Sequence, residues 1–568
     1  MELKSQVITR ILLAHILFSC VSLDALQAEE FHVTTAAEFQ NALTRARGNG
    51  KADNIWLAAG TYKTIDNQSR FMYEAKEGEN YALTIKGETG TSVDDVILDG
   101  EEPTFAFYLL DIEQENALLT IQGISTKNGF IEISSSGDVS LTENKFSHNK
   151  LYHPVYVNTS SGSITVSGNT FEGCGIYANT SSGNIHVTNN AISGGSADET
   201  GGGIYSSTSS GDIDLTNNRI SNNRATDYNY AYGGGVYLSA SGNITLNNNT
   251  ISENEVYHDS TLGFSRGGGV YVHSLGIVTI NGNTIRKNIA SSHGGGLHID
   301  SIYDIILVNN IIAGNTAGKN AGGIYAHSTL GRIILTNNTI TDNKTLPKDD
   351  FYTPKGGGLY LNCQEENASA YLYNNIIWGN ESDLGEDVYI DAHIFSGIYV
   401  HNNNYHDVES RPFTEDVDNI DDDSLFANSE QGDYHLQSNS PCIDKGTADA
   451  PELPSTDYEN DLRIIGSSPD MGADEYYDPS IYSTTTTTTI LPQFCTTEQI
   501  YGEYSEETEM LRYLRDKILY HTPEGQELIR LYYEWSPVIV KAMEEEEDEG
   551  FREEVKEMID EILGVIQD

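Results

Sequence analysis

Eight side chains between residues 228 and 352 have chemistry to offer: Tyr228, Tyr230, Tyr257, His258, Arg266, His293, Asp349 and Tyr352. Aromatic faces carry sugar rings, histidine and aspartate exchange protons, and arginine pairs with anions or hydroxyl groups. They fall in "RATDYNYAY" (224–232), "EVYHDSTLGFSR" (255–266), "IASSH" (289–293) and "LPKDDFYTPK" (346–355), stretches of unequal length that do not repeat. A second set does repeat. Tyr156, Tyr177, Tyr205, Tyr237, Tyr271, Tyr325, Tyr360 and Tyr389 hold one position of a recurring phrase, with His298 in the same series. His273, Asp300 and His327 stand two positions further along it. Spaced aromatics could form a platform for sugars, but stacking that stiffens a parallel sheet explains the same spacing and is the favoured reading. The histidines beside Asp300 could move a proton or hold a metal; their recurrence reads as drift within a repeat. The outward columns contain neither Arg nor Lys. No nucleophile triad, phosphate loop, zinc spacing or glycosidase-type paired carboxylates are found, so no catalytic residue is assigned.

Two alternating phrases must position these residues. One is Asn-x-Ile/Phe ("NNTISEN", "GNTIRKN", "NNIIAGN"), with its leading Asn at 144, 169, 190, 218, 249, 283, 310, 338 and 375. The other is Gly-Gly-Gly-aliphatic-Tyr ("GGGVYLS", "GGGVYVH", "GGGLYLN"). Self-similarity at this period, with strand alternation and no helical spacing, predicts an all-β fold: a right-handed parallel β-helix. The steps Gly235 to Asn249, Gly269 to Asn283 and Gly296 to Asn310 are identical, while the return step varies. One face of each coil is therefore rigid and one corner accepts insertions, which places the eight candidates along a single edge. The Asn column is expected to supply left-handed corner residues and stacked amides that bond from coil to coil.

Composition narrows the partners. The chain has 32 Lys and Arg against 84 Asp and Glu, a net charge of −52. That surface repels nucleic acid and polyanions unless cations bridge them, so divalent cations, calcium among them, are plausible companions, with no specific site following from bulk charge and no cofactor expected. Residues 1–28 read as an export signal, cleaved after Ala28, with lipidation at Cys20 as the less favoured alternative. The expected location is secreted or cell-surface, with no membrane-spanning segment in the mature chain. Cys174, Cys363, Cys442 and Cys495 are too few for a disulfide scaffold. Cys174, where other coils have a second Asn, reads as a small interior residue. The boundaries are an N-terminal cap with first strands over 29–80, where "AAEFQNALTRA" has helical spacing, coils over 81–404, and a C-terminal cap over 405–478. A Thr-rich linker over 479–493 and an acidic helical domain over 494–568 follow.

The coils resemble the parallel β-helix repeats of pectate lyases and bacterial surface proteins. "SPCIDKGT" with "NDLRIIGSSPDMGADEY" is similar to the C-terminal segment of choice-of-anchor Q domain proteins, and "FCTTEQIYG" with "TPEGQELIRLYYEWSPVIVKAM" resembles the CFI-box C-terminal domain, where Thr-Thr follows Cys495 instead of Phe-Ile. These resemblances imply bacterial export and fold, with no activity attached. The functional expectation is a non-catalytic adhesion or glycan-binding protein working through its variable edge, the alternative being a polysaccharide lyase, hydrolase or epimerase in the same groove. Oligomeric state stays open.

Overall fold

A computed structural model describes residues 28–476, apart from 65–69, 101–107, 148–154, 261–262, 347–351, 366–367 and 460. The chain divides into residues 1–477 and 478–568. The expected export signal, linker and helical tail lie outside the described residues.

Helix α1 (Ala36–Ala46) forms where the sequence pattern places it. Thr35 caps it, accepting from the Glu38 amide at 3.2 Å. Its stripe of Ala36, Phe39, Ala42, Leu43 and Ala46 is buried on the first coil, where Phe39 meets Phe71 with ring centroids 4.8 Å apart. From there the chain winds through three long sheets of 15, 13 and 13 strands, each joining successive coils in parallel. Val270–Ser274, Val278–Asn281 and Thr284–Arg286 are one coil's contribution to them. Strand alternation sends Val270, Val272, Leu297, Ile299, Leu359 and Leu361 inward, all fully buried, into one core that continues along the stack.

The leading Asn column forms an unbroken amide ladder. Asn249 Nδ2 donates to Asn283 Oδ1 at 2.9 Å, Asn283 Nδ2 to Asn310 Oδ1 at 3.0 Å, and the series continues to Asn419. A second ladder runs from Asn223 through Asn254, Asn288, Asn315 and Asn343 to Asn380, where Asp387 accepts the last bond. One expectation is displaced by a residue. The left-handed position is not the ladder Asn but the residue before it: Asn248, Gly282, Asn309, Asn337 and Asn374 have φ of 54°, 65°, 55°, 54° and 56°. The corner thus divides its labour, one residue making the turn and the next spending its amide on the stack.

The unrepeated stretches are also more regular than their sequences suggest. Their first residues form a fourth, six-stranded parallel sheet, in which Arg224–Asp227 pairs with Glu255–His258 and that with Ile289–Ala290. Strands this short carry too little periodicity to be seen in the sequence.

Coil-like pairing continues to Glu415–Val417, after which the chain returns along the side of the stack. Asn309, Asn337 and Asn374, the left-handed corner residues, donate to Thr456 O at 2.7 Å, Asp470 O at 2.9 Å and Thr447 O at 3.0 Å. Arg463, 1% exposed, donates to Asn309 Oδ1 at 2.9 Å and to Ala473 O at 2.7 Å, with Glu475 3.6 Å away. This segment is held by polar side chains from three coils.

Candidate functional site

The aromatic series is one physical column. Register pairs Tyr156, Tyr177, Tyr205, Tyr237, Tyr271, His298, Tyr325, Tyr360 and Tyr389 in turn. The rings stack, with centroids 4.2 Å apart for Tyr177–Tyr205 and 4.4 Å for His298–Tyr325. A second column faces it. The residue immediately before each glycine cluster pairs with its counterpart in the next coil, giving Thr200, Tyr232, Arg266, His293, Asn320, Lys355 and Leu384. Glycine is required between the columns because neighbouring backbones nearly touch: a Cβ on Gly268 would lie 2.3 Å from Gly295 O. The chain bends there, bringing Tyr232 within 4.9 Å of Tyr271 and His293 within 6.0 Å of Tyr325, centroid to centroid. The two columns thus meet in a seam, the groove, running along the helix axis.

The two columns read from the sequence contain no Arg or Lys, as expected; the cations stand in this further column. Arg266 and Lys355 both occupy the column before the glycines, an offset visible in "SRGGG", "SHGGG" and "PKGGG". Lys319 joins them from the adjacent position, its Nζ 4.8 Å from the Phe264 centroid and 5.8 Å from that of Tyr352. Phe264, Lys319 and Lys355 are not among the sequence-based candidates; the signal that finds them is their fixed offset from the glycines, because the ends of the insertions hold register.

At the centre, Asp300 Oδ2 receives Tyr271 OH at 3.3 Å and lies 3.2 Å from His298 Nε2 and 3.6 Å from an Arg266 nitrogen. Burial works to raise the Asp300 pKa, but His298 and Arg266 outweigh it and hold the carboxylate well below its usual range. Burial, reinforced by Arg266, keeps His298 neutral against the pull of Asp300. His293 is held well below its ordinary value by burial, then by His298, Arg266 and Lys319. Burial also lifts the Tyr271 and Tyr360 phenols above their normal range, so both stay protonated donors. Arg266 Nε, His293 Nδ1 and His298 Nδ1 are buried without a hydrogen-bond partner.

The candidates separate into distinct places. Tyr230 stacks on Phe264 and Phe264 on His293, with centroids 6.5 and 6.1 Å apart, so these line the outer lip of the groove. Tyr352 OH donates to Asn320 Oδ1 at 3.0 Å on the same lip. Tyr228 is 66% exposed. Tyr257 sits in the fourth sheet beneath the Arg224 guanidinium. His258 is not a groove residue: it is buried, its Nδ1 3.0 Å from Ser291 Oγ, which itself meets Ser265 Oγ at 2.8 Å, and it braces the insertions from below. Asp349 lies outside the described residues.

Among the described residues, one cluster could ligate a metal: His435, Glu459 and Asp474, beside the stack. His435 already lies 2.9 Å from Glu459 and 2.5 Å from Asp433, and Asp474 accepts the Leu436 amide at 2.9 Å. Burial opposes protonation of His435, but these carboxylates raise its pKa to about 9, so an imidazolium supplies the cation there. No described helix is long and apolar enough to cross a membrane.

A family model described as a right-handed β-helix region matches residues 115–285. No curated protein matches the sequence. Among solved structures, the A-module of the mannuronan C-5 epimerase AlgE4 from Azotobacter vinelandii is 11% identical, with a TM-score of 0.36, covering 69% of this chain and 98% of its own. Pectate lyase Pel9A is 13% identical, with a TM-score of 0.29, covering 79% and 97%. The alginate lyase AlyGC is 16% identical, with a TM-score of 0.31, covering 75% and 60%. Likenesses this distant transfer no activity. Together with the sheets above, the family match identifies the architecture as a right-handed parallel β-helix.

Proposed function

We propose that the protein binds an extended polysaccharide along the groove between the two columns. The observation that carries this is a lip of exposed Tyr230, Phe264 and Tyr352 with half-buried Lys319 and Lys355, facing a continuous aromatic column over successive coils. Aromatic faces with a few oriented polar groups suit sugar rings, and a straight groove suits a polymer. An extracellular glycan, met by a secreted or surface-held protein, fits the acidic exterior and the sequence signs of export. The test is retention of the full chain on immobilised neutral and acidic polysaccharides, with Phe264→Ala and Lys319→Ala alongside. Retention lost in both variants supports the proposal; no retention, or retention unchanged by both, overturns it.

A second reading is catalysis on such a polymer. Two neutral histidines with unpartnered Nδ1 atoms beside Arg266 favour it, since a proton acceptor next to a cation is the minimum for acid–base work. New unsaturated or reducing ends, absent with His293→Ala, would establish it; intact polymer after prolonged incubation would refute it.

A further inference from the structure

The cluster around Arg266 has a counterpart three coils along the groove. Tyr271 OH donates to Asp300 Oδ2 at 3.3 Å, and Tyr360 OH donates to Asp391 Oδ2 at the same 3.3 Å. In each case the tyrosine belongs to one coil and the aspartate to the next, two positions further along the strand. In each case a cation precedes the glycines of the tyrosine's coil: Arg266 in the first, Lys355 in the second. In each case another ring follows in the column, His298 at 5.4 Å from Tyr271 and Tyr389 at 5.0 Å from Tyr360. Lys355 Nζ donates to Tyr389 OH at 2.9 Å, as Arg266 lies against Asp300. The coil of Asn320 and Tyr325 between them carries no such cation at the column position.

Each cluster sets a cationic donor and a carboxylate acceptor at the edge of a buried, stacked ring, the complement of adjacent sugar hydroxyls. Each also holds one cation and one carboxylate, Arg266 3.6 Å from Asp300 and Lys355 bonded to the Tyr389 phenol within the field of Asp391, in a chain of net charge −52. The long-range field therefore repels a polyanion, and the anchors themselves do not reverse it. With about 4.8 Å per coil, three coils separate the clusters by about 14 Å, beyond the reach of one sugar ring.

We infer that the groove holds two equivalent anchors, Arg266–Tyr271–Asp300 and Lys355–Tyr360–Asp391, which grip a neutral polysaccharide at two points and so demand a minimum chain length. This rests on the polysaccharide reading of the groove. Tying two contacts to one chain makes the second binding event intramolecular, and affinity rises by about 100-fold or more once the ligand spans both.

The experiment is calorimetric titration of the full chain with oligomers of glucan, mannan, xylan, polygalacturonate and alginate, from disaccharide to octasaccharide. The expected result is a neutral series whose affinity steps up by about 100-fold at the length that spans both anchors and stays unchanged between low and physiological salt. Lys355→Met and Arg266→Met should each abolish the step and lower the number of disaccharides bound per chain from two to one, since only one anchor remains. Lys355 is partly exposed, so its variant tests the point even if Arg266→Met fails to fold. A uronate-only response, or a neutral series without a step, overturns the inference and leaves the polysaccharide reading standing. A step that survives Lys355→Met also overturns it. Failure of every oligomer, together with no retention on the parent polymers, overturns that reading itself.

Discussion

Asn288→Ala tests the stacking account at its most buried point. Asn288 is fully buried, and its Oδ1 accepts from both the backbone amide and Nδ2 of Asn254 at 3.0 Å. Its Nδ2 donates to Ile251 O and to Asn315 Oδ1, each at 3.0 Å. Truncation leaves Asn254 Nδ2 with Ile220 O and Asn315 Oδ1 with the Asn288 amide, so those atoms keep a partner. The Asn254 amide loses its side-chain acceptor and Ile251 O loses its side-chain donor. Ile251 O keeps the ladder bond that its parallel register with Ile285 provides, so the Asn254 amide is the one stranded group, at about 1–3 kcal/mol in the dry variant. A water entering the vacated space finds up to four polar partners and brings the loss to the lower end; the expectation is about 1–2 kcal/mol for Ala. Asn288→Leu, which fills the space and excludes water, should cost more. The Asn254→Ala/Asn288→Ala pair should cost less than the sum, because the two share bonds. Urea unfolding followed by far-UV circular dichroism reads the midpoints, and amide exchange in residues 251–317 reads the local effect. A loss below about 0.5 kcal/mol for Ala, the scale of an ordinary surface change, or strict additivity of the pair, would refute the ladder as a source of stability.

Glycines of the coil should divide sharply by surroundings. Gly268→Ala places a Cβ 2.3 Å from Gly295 O and should abolish soluble expression, whereas Gly173→Asn, at φ 69° with open space around it, should leave the melting temperature unchanged. In the lateral segment, His435 has a folded pKa raised from 6.5 to about 9, so its contribution is complete below pH 6.5 and lost as pH rises through about 9. Limited proteolysis between pH 6 and 10 should show cleavage within 424–476 rising over that window, and His435→Gln should make the profile flat; a flat profile in the parent chain contradicts a stabilising role for the His435 imidazolium. Burial pushes the thiols of Cys174 and Cys363 to about 12 and that of Cys442 to about 11. Iodoacetamide at pH 8 should leave all three unmodified in the folded chain and label them in urea, as judged by peptide mass mapping.

Side chains that recur at fixed spacing were legible in the sequence because a parallel stack turns spacing into contact. Tyr271, His298 and Tyr325 belong to one phrase of the repeat, and they share one column. The position of the left-handed corner was less legible. Asn248 and Asn249 are the same residue type, and only backbone geometry separates the one that turns from the one that stacks. The groove was half legible. Arg266 and His293 were recognised by type, but their placement opposite Tyr271 and Tyr325 depends on how far the backbone bends at the glycines. His258 shows the converse: a polar residue in an insertion reads as exposed, yet the small Ser265 and Ser291 beneath it allow burial and satisfy its nitrogen. The contacts of Asn309, Asn337 and Asn374 with residues 447–472 join positions that share no repeat, and no spacing announces them.

The central claim, that the groove and no other face engages a glycan, is tested most directly by hydroxyl-radical footprinting of the full chain with and without the polysaccharide retained in the binding screen. Protection should fall on Tyr230, Phe264, Tyr352 and Tyr389, and should be absent from the stacked pair Tyr371 and Tyr399 on the neighbouring sheet. Protection of Tyr371 and Tyr399 with the groove residues unchanged would contradict the account.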